Sequence, residues 1–116
     1  MKLDEEKEWF QVTGHKDIMI FNITGMNTDM DANTNRLIQK MNQCAKDHQL
    51  DVTIHMDSAS KIDTRGKDAD IILLGPELFA MCDEVKQKYP GKVVKVIDQK
   101  DFGFWDGEKV LKAALS

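Results

Sequence analysis

Two stretches of this chain are apolar over the length of a single strand: IMIFNI at residues 18–23 and the run inside DADIILLG at residues 68–75. A strand that faces water on one side alternates apolar and polar residues, whereas these do not, so both read as strands buried on both faces. Such strands belong to a parallel sheet covered by helices. That requirement constrains the fold more than any other feature of the sequence.

The segments between the runs change period. From about Thr28 to Gln49, Met30, Leu37, Met41, Cys44 and His48 fall on one helical stripe, widened by Ile38 and Ala45. Thr28 followed by Asp31 fits a loose capping box, and Asp29 and Asp31 suit the positive end of a helix dipole. DVTIHM at 51–56 alternates and reads as a second strand. Ser60 with Asp63, and Arg65-Gly66 closing, predict one short helix or turn.

After the DADIILLG strand, Gly75-Pro76-Glu77 is a strand-to-helix turn with proline at the first helical position. Leu78, Cys82, Val85 and Tyr89 form the buried stripe of the helix that follows, and Pro90-Gly91 ends it. KVVKVID at 92–98 is the fourth strand. QKDFGFW reads as a loop, and Asp106 is placed to cap a last helix carrying Val110, Leu111, Ala114 and Leu115.

The order β-α-β-α-β-α-β-α predicts an α/β fold: a four-stranded parallel sheet with helices on both faces, doubly wound in the flavodoxin-like or Rossmann-like manner. Ligands bind such sheets beyond the carboxyl ends of the strands, where the strand order reverses. Residues 22–28, 75–77 and 98–105 leave the sheet at that end. The exit of the second strand, residues 57–60, is expected further out.

With 116 residues the chain has room for one core. We divide it into an N-terminal arm (1–16) of mixed charge and a domain over 17–116. A net charge of −4 argues against nucleic-acid and polybasic membrane-surface roles. No apolar run approaches the roughly 20 residues that cross a bilayer, and the acidic start lacks a signal core. The two cysteines, Cys44 and Cys82, have no C-x-x-C spacing and read as reduced core residues. His15, His48 and His55 are scattered, so neither a metal site nor a cofactor is expected.

From Ile18 to Ala114 the chain resembles the IIB components of the sugar phosphotransferase system, in the lactose/cellobiose/chitobiose class. The resemblance is carried by IMIFNITGMNT, by DADIILLGPELFAM and by VVKVIDQKDFGFWDGEKVLKAA. It implies a cytoplasmic relay. A cysteine at the end of the first strand takes a phosphoryl group from the IIA component and passes it to a sugar held by the membrane-embedded IIC component. The loop after that cysteine, typically Cys-Ser-Ala-Gly-Met-Ser-Thr, wraps the phosphoryl oxygens with backbone N–H groups.

Aligning Gly25, Met26 and Thr28 with that loop puts Asn22 at the cysteine position. Ile23, Thr24 and Asn27 replace its serine, alanine and second serine. Gly75 and Pro76 correspond to a second turn bordering the site. A carboxamide is no phosphoryl acceptor, and no pKa shift makes it one. Thr24 and Thr28 carry hydroxyls without an evident base.

Asp29 and Asp31 add an unfavourable field. One carboxylate about 4 Å from a phosphate costs about 1–4 kcal/mol at effective dielectrics of 80 down to 20. A helix terminus supplies about 0.3–1 kcal/mol in exposed settings. The expectation is therefore a IIB-like chain whose relay is impaired, or a non-catalytic descendant that docks to IIA, IIC or a regulator. A flavin-mononucleotide module is a third reading, from the Thr24-Gly25 pair. It is disfavoured by the spacing to Thr28 and by the short chain.

Overall fold

The computed structural model describes residues 14–22 and 28–115, with the side chains of 28–33 excepted. Four parallel strands form one sheet in the order β2-β1-β3-β4: β1 Lys16–Asn22, β2 Val52–Ser58, β3 Ile71–Leu74 and β4 Val93–Val96. The helices are α1 Thr28–Asp47, α2 Ile62–Arg65, α3 Cys82–Lys88, α4 Gln99–Gly103 and α5 Gly107–Leu115. This is the predicted α/β architecture. Most of the arm at 1–16 lies outside the described residues; its last residue, Lys16, opens β1 and pairs with Val52.

The central position of β1 follows from its composition. Ile18, Met19, Ile20 and Phe21 are all buried, because β2 and β3 flank the strand and helices cover both faces. Ile18 and Ile20 point to the face covered by α1 and α5, where Leu37, Met41, Cys44, Ile71, Leu73 and Leu111 complete the core. Met19 and Phe21 point the other way, onto Ile62, Ile72, Leu74, Leu78 and Val85. The period of two along one strand thus builds two separate apolar layers. No helix among the described residues is long and apolar enough to cross a membrane.

Helix α1 ends two residues before the predicted limit. Gln49 has φ of 56°, its N–H bonds to the Lys46 carbonyl, and the Leu50 N–H bonds to the Ala45 carbonyl at 2.8 Å. This is a Schellman closure built on glutamine instead of glycine. It leaves His48 in the turn beyond the stripe. The predicted cap pair Thr28/Asp31, the acidic pair Asp29/Asp31 and Met30 have backbone in α1, but their side chains lie outside the described residues.

Two local features differ from the sequence reading. The segment after Pro76 begins as a 3₁₀ turn, Pro76–Met81, before α3 starts at Cys82, and Cys82 is half-buried instead of fully interior. QKDFGFW is not a loop: its first five residues form α4, capped by the Asp98 carboxylate accepting from the Lys100 and Asp101 N–H groups. The β2 exit lies further out, as expected: β2 is the edge strand on the far side of β1 from β3, with Ser58 paired to Asn22. Asp106 does cap α5, accepting from the Lys109 N–H at 3.2 Å.

At the opposite end of the sheet, His15 bridges two carboxylates. Its Nδ1 lies 2.8 Å from Asp51 Oδ1 and its Nε2 lies 3.4 Å from Asp17 Oδ1, with Thr53 Oγ1 3.0 Å away. His55 approaches the same Asp17 carboxylate at 4.0 Å. Asp51 first, with Asp17 adding, raises the His15 pKa above its ordinary 6.5. The folded state therefore gains from protonated His15 below 6.5, and that gain is lost as pH rises through the raised value. His15→Gln is expected to remove this part of the pH dependence, read by thermal melts across that range.

Helices α1 and α5 approach closely at Gly107. A Cβ there would sit 2.5 Å from the Lys40 carbonyl carbon and the Met41 nitrogen, both backbone atoms that cannot move aside cheaply. Alanine in a helix is worth about 1 kcal/mol over glycine, while overpacking costs about 1–3 kcal/mol. Gly107→Ala is expected to destabilise the domain, with a lower midpoint in urea denaturation.

Candidate functional site

The carboxyl ends of β1 and β3 lie side by side, joined beyond the last strand pair by the Gly75 N–H donating to the Phe21 carbonyl at 2.9 Å. On β3's other side the Ile97 N–H donates to the Leu74 carbonyl at 2.8 Å. The strand order reverses between β1 and β3, since α1 leads out to β2 on one side and α3 to β4 on the other. This is the crevice in which α/β sheets hold ligands.

Asn22 closes β1. It continues the Ile18–Ile20 face, so its side chain points toward α1, and it is 0 % exposed. Its Nδ2 donates to Thr34 Oγ1, and Thr34 is equally buried in α1. On the other side the carboxamide oxygen lies against Gly75, where a Cβ would overlap it. Gly75 is itself buried and is followed by the half-buried Pro76, which opens the 3₁₀ turn; the Leu78 N–H donates back to the Gly75 carbonyl at 2.9 Å. Three chain segments therefore meet on one amide group.

Of the expected site residues, Asn22 and Gly75 are in contact, and Pro76 follows Gly75 at the start of the 3₁₀ turn. Ile23, Thr24, Gly25, Met26 and Asn27 lie outside the described residues, and Thr28 enters as the first residue of α1. Thr34 was not among the expected site residues. Its signal was a polar residue on the stripe that runs through Leu37, Met41 and Cys44, one turn before the first of them.

A carboxamide is not a nucleophile, and this one is enclosed by core residues. The two thiols lie elsewhere in the fold. Cys44 is buried in α1, and burial, with Glu108 nearby, pushes its thiol up to about 11. It lines the floor of an open cleft of about 460 Å³ between α1 and α5, with Lys40, Asp47, Trp105 and Glu108. Cys82 starts α3, beyond the 3₁₀ turn that leads away from Gly75.

The aromatic residues after β4 divide between two roles. Phe102 is buried in the α1/α5 layer, while Phe104 is 81 % exposed. Trp105 adopts φ of 52° and carries the Arg36 guanidinium over its ring, 4.8 Å from the centroid. Asp98 is an exposed helix cap. Among the described residues, no group of three or more His, Cys, Asp or Glu side chains is placed to hold a metal ion.

The sequence matches the family described as "PTS system, Lactose/Cellobiose specific IIB subunit" over residues 24–113, a stretch that begins two residues after Asn22. It is 36% identical over 88 residues to the cellobiose-specific EIIB component of Lactococcus lactis subsp. lactis, covering 70% of this chain and 82% of that protein. It is 35% identical, with the same coverage, to the galactose-specific EIIB component of Lactococcus lactis subsp. cremoris. The fold is similar to the lactose-specific IIB domain of Streptococcus pneumoniae. There the TM-score is 0.72 at 13% identity, covering 88% of this chain and 96% of that one. The extent of the sequence match and the shared sheet lead to one conclusion: this chain belongs to the lactose/cellobiose-specific IIB family of the sugar phosphotransferase system.

Proposed function

We propose that this chain serves a sugar-uptake phosphotransferase system as a cytosolic IIB component that carries no phosphoryl group at residue 22, and acts by docking to its partners. The observation that supports this reading is the state of Asn22. It stands where the Gly25-Met26-x-Thr28 frame places the family's accepting cysteine. It is also fully buried, with its amide given to Thr34. A relay requires a group that attacks phosphorus and later leaves it. Residue 22 offers neither chemistry nor access.

The family's partners then become the expected partners of this chain: a IIA protein as phosphoryl donor, and a membrane-embedded IIC protein holding the sugar. Cellobiose and galactose, named for the two relatives, indicate the class of sugar handled by such a system. The turn at Gly75-Pro76, which corresponds to one that borders the site in the family, supports the same reading. A docking surface outlasts the loss of one nucleophile, because complementarity is spread over many residues.

Incubating the protein with phosphorylated IIA and measuring intact mass tests this directly. The unmodified chain is expected to gain no phosphoryl adduct while still binding IIA in calorimetry. A phosphoryl adduct on the unmodified chain would sink the proposal, and absence of IIA and IIC binding would remove its docking half. An Asn22→Cys variant run in parallel reports whether the rest of the loop accepts phosphate once a thiol is supplied.

A further inference from the structure

Among the described residues, the polar side chains sealed in the interior are Asn22 and Thr34, both 0 % exposed, and they are bonded to each other. Burying a carboxamide and a hydroxyl in an apolar layer is costly unless they satisfy one another. Each belongs to a different element, and these elements flank residues 23–27. The carboxamide also seats on Gly75, whose N–H is tied to Phe21, the residue before Asn22.

We propose that the Asn22–Thr34 pair is a built-in brace that joins the end of β1 to α1 and to the turn after β3 without any bound anion. In a phosphoryl-binding site the anion itself makes that joint, since donors from the strand end and the helix start converge on it. Here a neutral amide ties the strand end to Thr34, six residues into α1. The comparison with an anion rests on the reading of Asn22 as the former acceptor position; the brace rests on the geometry alone.

The brace assigns Thr34 a positioning role that its place in a helix does not require. Threonine is a modest helix former, and a valine of the same shape would serve the apolar layer without burying a hydroxyl. What valine cannot do is accept the amide proton of Asn22. Gly75 has a matching role: any side chain there displaces the carboxamide from its seat.

Thermal melts of the full chain test the brace, using Thr34→Val, Thr34→Ser, Asn22→Leu and the Asn22→Leu/Thr34→Val double variant. Thr34→Val is expected to lower Tm by about 3–8 °C, the shift that loss of one buried hydrogen bond gives a domain of this size. Thr34→Ser keeps the hydroxyl and retains most of that Tm. The double variant falls by less than the two single losses added together. Inorganic phosphate leaves the unmodified protein's Tm unchanged.

A Thr34→Val protein melting with the parent, or losses that simply add, overturns the brace. A phosphate-dependent rise in the parent's Tm overturns the claim that the joint needs no anion. If the valine variants do not fold, the parent decides by NMR. Slow solvent exchange of the Asn22 side-chain amide supports the brace, and exchange within the dead time refutes it. These outcomes are independent of the mass measurement: phosphoryl transfer to the parent would remove the docking proposal and leave the Tm comparison standing.

Discussion

The structure depends on the burial of one strand from both sides. β1 sits between β2 and β3 and contributes Ile18 and Ile20 to one apolar layer and Met19 and Phe21 to the other. At roughly 1.5–3 kcal/mol for each large side chain removed from water, these four residues outweigh any single polar contact in the molecule. They also fix the register: a slip of one residue would exchange the two layers and drive Asn22 onto the wrong face. The polar junction at the strand's end is therefore placed by the apolar residues before it.

Most of this was legible because it depends on period and composition. Unbroken apolar runs such as Ile71–Leu74 cannot face water, and a stripe such as Leu37–Met41–Cys44 has only one covered face. What escaped was local and set by single contacts. Residues 99–103 carry no apolar period long enough to announce a helix, so α4 depends on the Asp98 cap and on Phe102 being drawn into the core.

The site was half legible. That Asn22 and Gly75 meet follows from adjacent parallel strands ending at the same level. That the Asn22 amide turns inward to Thr34 does not, because other residues in the sequence, such as Thr24 and Asn27, are equally polar and closer along the chain. The deciding factor is the face on which residue 22 lies, two residues beyond Ile20 and directly beneath α1. A polar residue interrupting a helical stripe is the sign to look for in similar cases.

The burial of Cys44 has a practical consequence for chemical labelling. A thiol with a pKa of about 11 is ionised at neutral pH to only about one part in ten thousand, and alkylating reagents react with the thiolate. In the native protein Cys44 should therefore react slowly with iodoacetamide, leaving Cys82 as the second thiol to be mapped or replaced. A cysteine introduced at an exposed position would then serve as an attachment point for a fluorophore or cross-linker, and the docking proposed above becomes testable residue by residue.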